Sequence, residues 1–406
     1  MKGINRMAGV LSGVRVLDFT AHTSGPVATA AMADCGAEVI KVEPPIKGDD
    51  TRSLSPRLDG QAMTYMTNNR GKKSITVNMK DPEGIRILKE LIKISDVVVE
   101  NFRPGIMKRY GLDYESIRDL NPGIVYCSVS AYGQFGPSYT KPGFDVVVQA
   151  RSGAMDLTGE PDRAPVKIGI VIGDMVAAKD AFGAICAALY HKAVTGEGQY
   201  IDISMLECMT SMNLYIDHAM IGLHPARRGK HHISLSPYGI FEGKNGQTIV
   251  IAAFTNYHFG ILCREVLLRP ELVDDPRFVT PEARVDHYLE VADAIESWLK
   301  TFDDIDDALH EMEAHGLVCT RILTPEQVAN DPQLIAHGGI TEIEAMPSMK
   351  NVRSFKTRAH WAKYSATPAV CGRPPELGEH NSEVLSMIGM TPAEIEELEK
   401  KWNAKK

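Results

Sequence analysis

Five largely apolar runs, 13–19, 37–43, 74–79, 96–100 and 124–130, recur through the first third of the chain, each closed by a polar or glycine- and proline-bearing turn. Runs this short, apolar throughout rather than alternating, read as strands covered on both faces. The stretches between them read as helices: an alanine-rich segment follows Pro26, and Asp81-Pro82 caps a helix running to about Ile94. Strand, turn, helix and strand in repetition give a parallel sheet with right-handed crossovers, and such sheets gather ligands in the loops at the carboxyl ends of their strands. The turn after the first strand, Thr20 to Pro26, carries no G-x-G-x-x-G, so a dinucleotide fingerprint is absent.

At 406 residues the chain exceeds the usual size of one hydrophobic core. Residues 1–205 read as the first part of a large α/β domain and 206–234 as a linker helix and loop. Residues 235–330 read as a small α+β domain, with a hairpin turning at Lys244-Asn245-Gly246, acidic helices over 282–302 and 305–315, and a strand at 318–322. Residues 331–406 read as a linker and a segment returning to the large domain, ending in an amphipathic helix from Thr391. A further strand is expected at 199–204, with Ser204 and Glu207 as a capping box for a helix through Tyr215.

The net charge of -8 argues against a general nucleic-acid binder, which would show a basic face, so any basic patch must be local. The run from Ile168 to Tyr190 is interrupted by Asp174, Lys179 and Asp180, so no membrane span is expected, and Met1 to Gly9 lacks the apolar core of a secretory signal. Seven scattered cysteines without a C-x-x-C pair read as reduced thiols, with neither zinc nor an iron-sulfur cluster implied. A cytoplasmic location is the expectation.

Two basic clusters stand out in this acidic chain: Arg70-Gly71-Lys72-Lys73, and the stretch from Arg103 to Arg109. Each follows a strand, where free backbone amides and helix dipoles add to side-chain charge, so a phosphate-bearing ligand and a solvated loop are equally open readings. The lone His22, the pair His231-His232 and Ser24 carry neither metal-ligand spacing nor a nucleophile elbow. Arg227 and Arg228 offer a docking charge for a carboxylate.

A single carboxylate, Asp174, ends the extended-looking run Pro165 to Gly173, just before a helix with Ala181, Ile185 and Ala188 on one face. Taken alone, these residues favour a helix N-cap, which would also hold the carboxylate in place and partly desolvate it. The run from Ile168 to Ile172 is expected to keep water from any reactive intermediate formed there.

The order and spacing of several motifs carry a resemblance. They are Val16-Leu17-Asp18-Phe19-Thr20 with Gly25-Pro26, the run Gly36 to Glu43, Gly48-Asp49, Glu100-Asn101-Phe102-Arg103-Pro104-Gly105, and Asn121-Pro122. Further on stand Tyr132-Gly133-Gln134-Phe135-Gly136-Pro137, Gln149-Ala150, Thr195 to Gln199, and Gly378-Glu379-His380. Over nearly its whole length the chain resembles the class III CoA-transferases, the group that includes formyl-CoA transferase and carnitine CoA-transferase. The resemblance implies a Rossmann-like large domain completed by the C-terminal segment, an interlaced homodimer, and an acyl-CoA and a small carboxylic acid as substrates with no metal. It places the nucleophile at Asp174 and coenzyme A contacts at Thr23, Ser24, Lys72, Asn101, Phe102, Arg103, Pro104, Gly105 and Arg109. Two other functions share that framework: an α-methylacyl-CoA racemase, and a non-catalytic CoA-binding subunit of a hetero-oligomer. Gly143-Phe144-Asp145 stands where racemases resemble a Gly-His-Asp pattern, and phenylalanine exchanges no proton. No glycine-rich lid appears between Leu235 and Gly260, which disfavours formate and oxalate as substrates, and Ala131 stands where many relatives have glycine.

Overall fold

The computed structural model describes residues 9–404. The chain groups into two units: the first takes in the chain up to Ser152, Gly169–Met212 and the chain from Pro332 onward; the second comprises Gly153–Ile168 and Asn213–Asp331. Residues 153–168, which the sequence reading kept with the large domain, thus belong with the smaller one.

Six parallel strands form the centre of the first unit: β1 (Arg15–Asp18), β2 (Glu38–Glu43), β3 (Lys73–Thr76), β4 (Val97–Glu100), β5 (Val125–Ser130) and β6 (Tyr200–Ser204). Their order is β3-β2-β1-β4-β5-β6, with Val16 of β1 paired to Val39 on one side and Val97 on the other. This is the doubly wound order in which the chain reverses direction across the sheet beside β1, leaving a crevice at the carboxyl ends of β1 and β4. Every residue of β4 and β5 is buried, which is why those runs show no polar alternation.

The helices follow from local chemistry. Helix α1 (Ser24–Asp34) opens with Gly25-Pro26 and is buried almost throughout. Asp81 caps α2 (Pro82–Lys93) by accepting from the Glu83 amide, and Ile87, Leu88, Leu91 and Ile92 form its buried stripe. Short helices α3 (Ile106–Arg109) and α4 (Asp145–Arg151) precede the long α5 (Ile172–Thr195), which Gly196 ends in a left-handed conformation. Helix α1 packs along α5. Ala28, Ala31, Ala177, Ala178 and Ala181 are wholly buried on these helices, and side chains that small let two backbones approach closely. Helix α6 (Met205–Ser211) is capped by Ser204 but stops short of Tyr215, where the sequence had extended it.

The second unit has an antiparallel sheet of β7 (Tyr238–Glu242), β8 (Thr248–Ala252) and β9 (Val318–Arg321). Asn245 and Gly246 both take positive φ at the hairpin, as Asn-Gly favours. The acidic stretch expected as one helix breaks at His287, leaving α7 (Tyr288–Leu299) as its main part before α8 (Ile305–Ala314). Phe241, Ile249, Ile251, Ile295 and Met312 share this unit's core.

From Pro332 the chain rejoins the first unit through a hairpin the sequence did not suggest, β10 (Ile340–Glu344) with β11 (Ser354–Arg358), then α9 (Asn381–Ser386) and α10 (Pro392–Asn403). Val384, Leu385, Ile395 and Trp402 pack into the same core as Leu17, Ile40, Ile75 and Val98. Along the edge strand β3, the Ser74 amide donates to His380 Nδ1 at 3.2 Å and the Thr76 amide to Asn381 Oδ1 at 2.8 Å. The C-terminal segment therefore satisfies backbone donors that an open sheet edge would leave bare. Among the described residues, no helix is long and apolar enough to cross a membrane.

Candidate active site

Asp174 is the third residue of α5, three positions past the cap; the cap position is Val171, which offers no side-chain acceptor. The orphan amides are met from elsewhere in the sequence. Asp145, in the first turn of α4, accepts from the Gly173 amide at 2.7 Å and lies 3.4 Å from that of Asp174, both at Oδ1. The expectation that Asp174 caps its own helix is thereby corrected, because the helix already begins at Ile172 and the cap position falls on Val171.

The Asp174 carboxylate is half-buried, and Ser24, at the start of α1, faces it with its hydroxyl and backbone amide, both of which favour the ionised form. Burial and the Asp145 charge push the carboxyl up to about 6, while the Ser24 bonds and the His22 charge oppose the rise. Such a group is mostly ionised at neutral pH yet more basic than an ordinary carboxylate, and basicity is what makes a carboxylate a competent nucleophile. Donors seated at a helix N-terminus also stand where a carbonyl oxygen formed from that carboxylate would gain negative charge. His22 itself sits at φ 67°, uncommon for a non-glycine residue, with its ring edge-on to Phe144 at 6.0 Å.

The run preceding α5 differs from expectation. Residues 165–171 adopt no strand, and Ile170 and Val171 are 62% and 48% exposed. A run open to solvent does not shield Asp174 within one chain.

At the carboxyl ends of β1 to β4 lies a cleft of about 300 Å³, walled by Phe19, Pro44, Val77, Lys80, Phe102 and Tyr110. Its largely apolar walls and the nearby Lys80 ammonium suit a planar ring with a charged substituent. Beneath it, Lys41 pairs with Asp49 at 2.8 Å and donates to the Thr20 carbonyl at 2.7 Å.

The residues expected to contact a ligand divide. Phe102 lines this cleft, whereas Arg103, Pro104 and Gly105 line a second one of about 410 Å³ beside β4, β5 and β6. The 101–105 loop is a partition between the two. Asn101 makes two 2.8 Å bonds to the Ala21 peptide, so it braces the turn leading to Ser24. Glu100 accepts from the Phe102 amide at 2.8 Å; burial drives its carboxyl up to about 7, with the Asp202 charge adding and the Ser128 and Phe102 bonds subtracting. Arg109 is exposed and lines neither cleft, and Thr23 stands on the wall of a third, about 990 Å³, bordered by Ile172 and Met175.

Lys72 needs a correction. Its ammonium is fully buried, donating to Asp18 Oδ2 at 2.8 Å, Asn69 Oδ1 at 2.9 Å and the Pro26 carbonyl at 3.0 Å. All three protons are committed inside the protein, so this cation is not presented to a ligand. Lys80, in the turn following β3, lines the cleft; its place at a strand end, rather than any clustering of charge, is the signal that marks it. Asp145 and Gln149 stood in the quoted motifs but were given no place at the site, although their i,i+4 spacing is readable. In the second unit Arg227 donates to Asp156 and to the Glu160 and Arg163 carbonyls, and the Arg228 guanidinium lies 4.7 Å over the Tyr288 ring while bonding the Val285 carbonyl. Both arginines fasten their own unit. Among the described residues, no three His, Cys, Asp or Glu side chains converge as a metal site.

Residues 11–381 match the model of CoA-transferase family III. A succinate–glutarate CoA-transferase of Agrobacterium fabrum is 37% identical, the match covering 96% of each chain. Human succinyl-CoA:glutarate CoA-transferase is also 37% identical, over 93% of this chain and 86% of its own. The crystal structure of a CAIB/BAIF family protein from Brucella suis superposes with a TM-score of 0.81 at 34% identity, covering 94% of this chain and all of the other. A Mycobacterium tuberculosis crystal structure matches with TM-score 0.81 at 31% identity, over 92% and 99% of the two chains.

Proposed function

The chain belongs to CoA-transferase family III, and from that premise we propose that it moves CoA between an acyl-CoA and a free carboxylate through covalent intermediates on Asp174. One observation carries the reading: a half-buried carboxylate in the first turn of a long helix, faced by Ser24 and raised to about 6.

In the first step an Asp174 oxygen bonds to the thioester carbon of the donor, the carbon–sulfur bond breaks, and CoA leaves as thiolate from a mixed anhydride. The thiolate then attacks the aspartyl carbonyl, forming an aspartyl-CoA thioester and expelling the donor acid as its carboxylate. The acceptor carboxylate attacks that thioester and releases the thiolate again. Attack of the thiolate on the acceptor's acyl carbon yields the new acyl-CoA and regenerates Asp174. Protons and electrons balance without a co-reactant. Ser24 donors would stabilise the oxyanion at the aspartyl carbonyl in the two steps that occur there. The cleft walled by Phe102 and Lys80 has the size and lining for the adenosine end of CoA, with Lys80 as a cation for its phosphates; Lys72 serves as an internal strut.

The names of the two transferases above, and of a succinyl-CoA–D-citramalate CoA-transferase from Chloroflexus aurantiacus at 35% identity, support a dicarboxylate as donor or acceptor. Purified protein given succinyl-CoA and a panel of acids is expected to form glutaryl-CoA or a close homologue, read by mass spectrometry. Transfer from acetyl-CoA but never from succinyl-CoA would exclude the dicarboxylate, and transfer from neither would overturn the function.

Apolar exposure supports a homodimer. Tyr190 and Val194 on α5 are 75% and 67% exposed, in addition to Ile170 and Val171 before it. Sedimentation equilibrium is expected to return twice the 44.6 kDa of one chain, and a mass of one chain at micromolar concentration would reject the dimer.

A further inference from the structure

The first turn of α5 is held by a residue that belongs to none of the steps above. Asp145 Oδ1 accepts from the Gly173 amide at 2.7 Å, and its other oxygen accepts from Gln149 Nε2 at 2.7 Å. The same Gln149 amide donates to the Ile170 carbonyl at 3.1 Å, so one side chain ties Asp145 to the backbone just ahead of α5. Gly173 completes the fit: a Cβ there would stand 3.1 Å from Asp145 Oδ1 and 3.5 Å from Val148 Cγ1. Asp145 is thus pressed directly onto the peptide that carries the nucleophile.

We propose that Asp145, oriented by Gln149, is a positioning residue that fixes the backbone of Asp174 and sets a fixed negative charge against it, so that acylation, which neutralises Asp174, relieves a repulsion. The inference rests on Asp174 being the nucleophile. The charged groups facing Asp174 are Asp145 from α4 and His22 from the turn before α1, with Ser24 as an uncharged donor. Two like charges at one site disfavour the state in which both are ionised. An anhydride or thioester at Asp174 carries no charge, so Asp145 destabilises the free carboxylate without destabilising the intermediate. Capping and charge are separable, because asparagine retains an oxygen that can accept from the Gly173 amide.

The test compares the parent, Asp145→Asn and Asp145→Ala. Two quantities are read: the acid limb of kcat/KM between pH 4.5 and 8, and the fraction of Asp174 trapped as hydroxamate when hydroxylamine is added during turnover, measured on the peptide by mass. Asp145→Asn is expected to move the acid limb down by about one pH unit, since a repelling charge is gone, and to lower the trapped fraction several-fold. Asp145→Ala is expected to do the same and to lose roughly 10- to 100-fold in kcat, because the backbone of the nucleophile is released. Unfolding temperature is followed in parallel, so that a misfolded variant is recognised; Gln149→Leu, which leaves the charge in place, is expected to lower kcat without moving the limb. An unmoved limb in Asp145→Asn, with hydroxamate still formed at Asp174, overturns the positioning charge and leaves the nucleophile intact. Absence of hydroxamate at Asp174 in the parent overturns both.

Discussion

With alanine at position 174, CoA transfer is expected to fall by roughly 10⁴-fold or more in kcat, the scale on which deletion of a covalent nucleophile is felt, while the fold stands. The loss would be in the chemical steps, since the attacking carboxylate itself is gone, and KM for acyl-CoA should change little. Stability should not fall with it. Burial and Asp145 raise this carboxyl from 3.8 to about 6 in the folded protein. The folded state therefore holds the proton more tightly than the unfolded chain, and ionisation costs stability as pH rises between those values. At pH 7 the substitution removes that cost, and alanine suits the helix interior. Asp174→Asn keeps the shape and the hydrogen bonds but cannot attack, so it should be as inactive as alanine. Initial rates with succinyl-CoA, paired with thermal melts, decide the matter; a variant within tenfold of the parent rate would remove Asp174 from the mechanism.

The second large effect belongs to stability alone. Lys72→Met should destabilise the protein by about 3–5 kcal/mol, because it strands a buried carboxylate. Asp18 is wholly buried at the end of β1, accepting from the Thr20 amide at 2.8 Å and from Thr29 Oγ1 at 2.7 Å as well as from Lys72. Burial alone would raise the Asp18 carboxyl, but the Lys72 and Lys41 charges hold it below the usual range. Methionine fills the space and leaves the charge unmatched. Asp18→Asn combined with Lys72→Met should recover much of the loss, since both charges are then gone, and a double-mutant cycle in urea measures the coupling. If Lys72→Met unfolds at the parental urea midpoint while KM for acyl-CoA rises, the lysine is a ligand contact and its burial in the free protein is not its working state.

Both expectations show where the sequence was informative. The strands were visible because β4 and β5 are covered on two faces, which leaves them without polar alternation. Their order was not, since register is decided by pairing across the sheet. The hairpin of β10 and β11 went unseen because Glu342, Glu344, Lys356 and Arg358 sit on exposed alternate positions and dilute its apolar content. Lys72 and Arg70 looked like one basic patch; each instead has a private carboxylate, Asp18 and Asp34 respectively, 54 and 36 residues away. Its neighbours in sequence read Asp174 as a helix cap, and the residue that instead meets the first amides of that helix lies 29 positions before it, beyond any local signal. Loops showed where ligands gather, and only the folded chain showed that Phe102 and Arg103 face opposite sides of one partition.

The closure of the sheet by α9 and α10 bears on the order in which the protein can become itself. The ribosome delivers β1 before the second unit and Trp402 after it, yet both lie in one core and Trp402 Nε1 bonds Asp81 at 2.9 Å. The apolar face of the nascent sheet, and the bare amides of β3, wait through the synthesis of the whole second unit for their cover. A growing chain of this kind carries an unfinished hydrophobic surface until α10 has emerged, so its vulnerable interval is set by elongation time rather than by the folding rate of either unit.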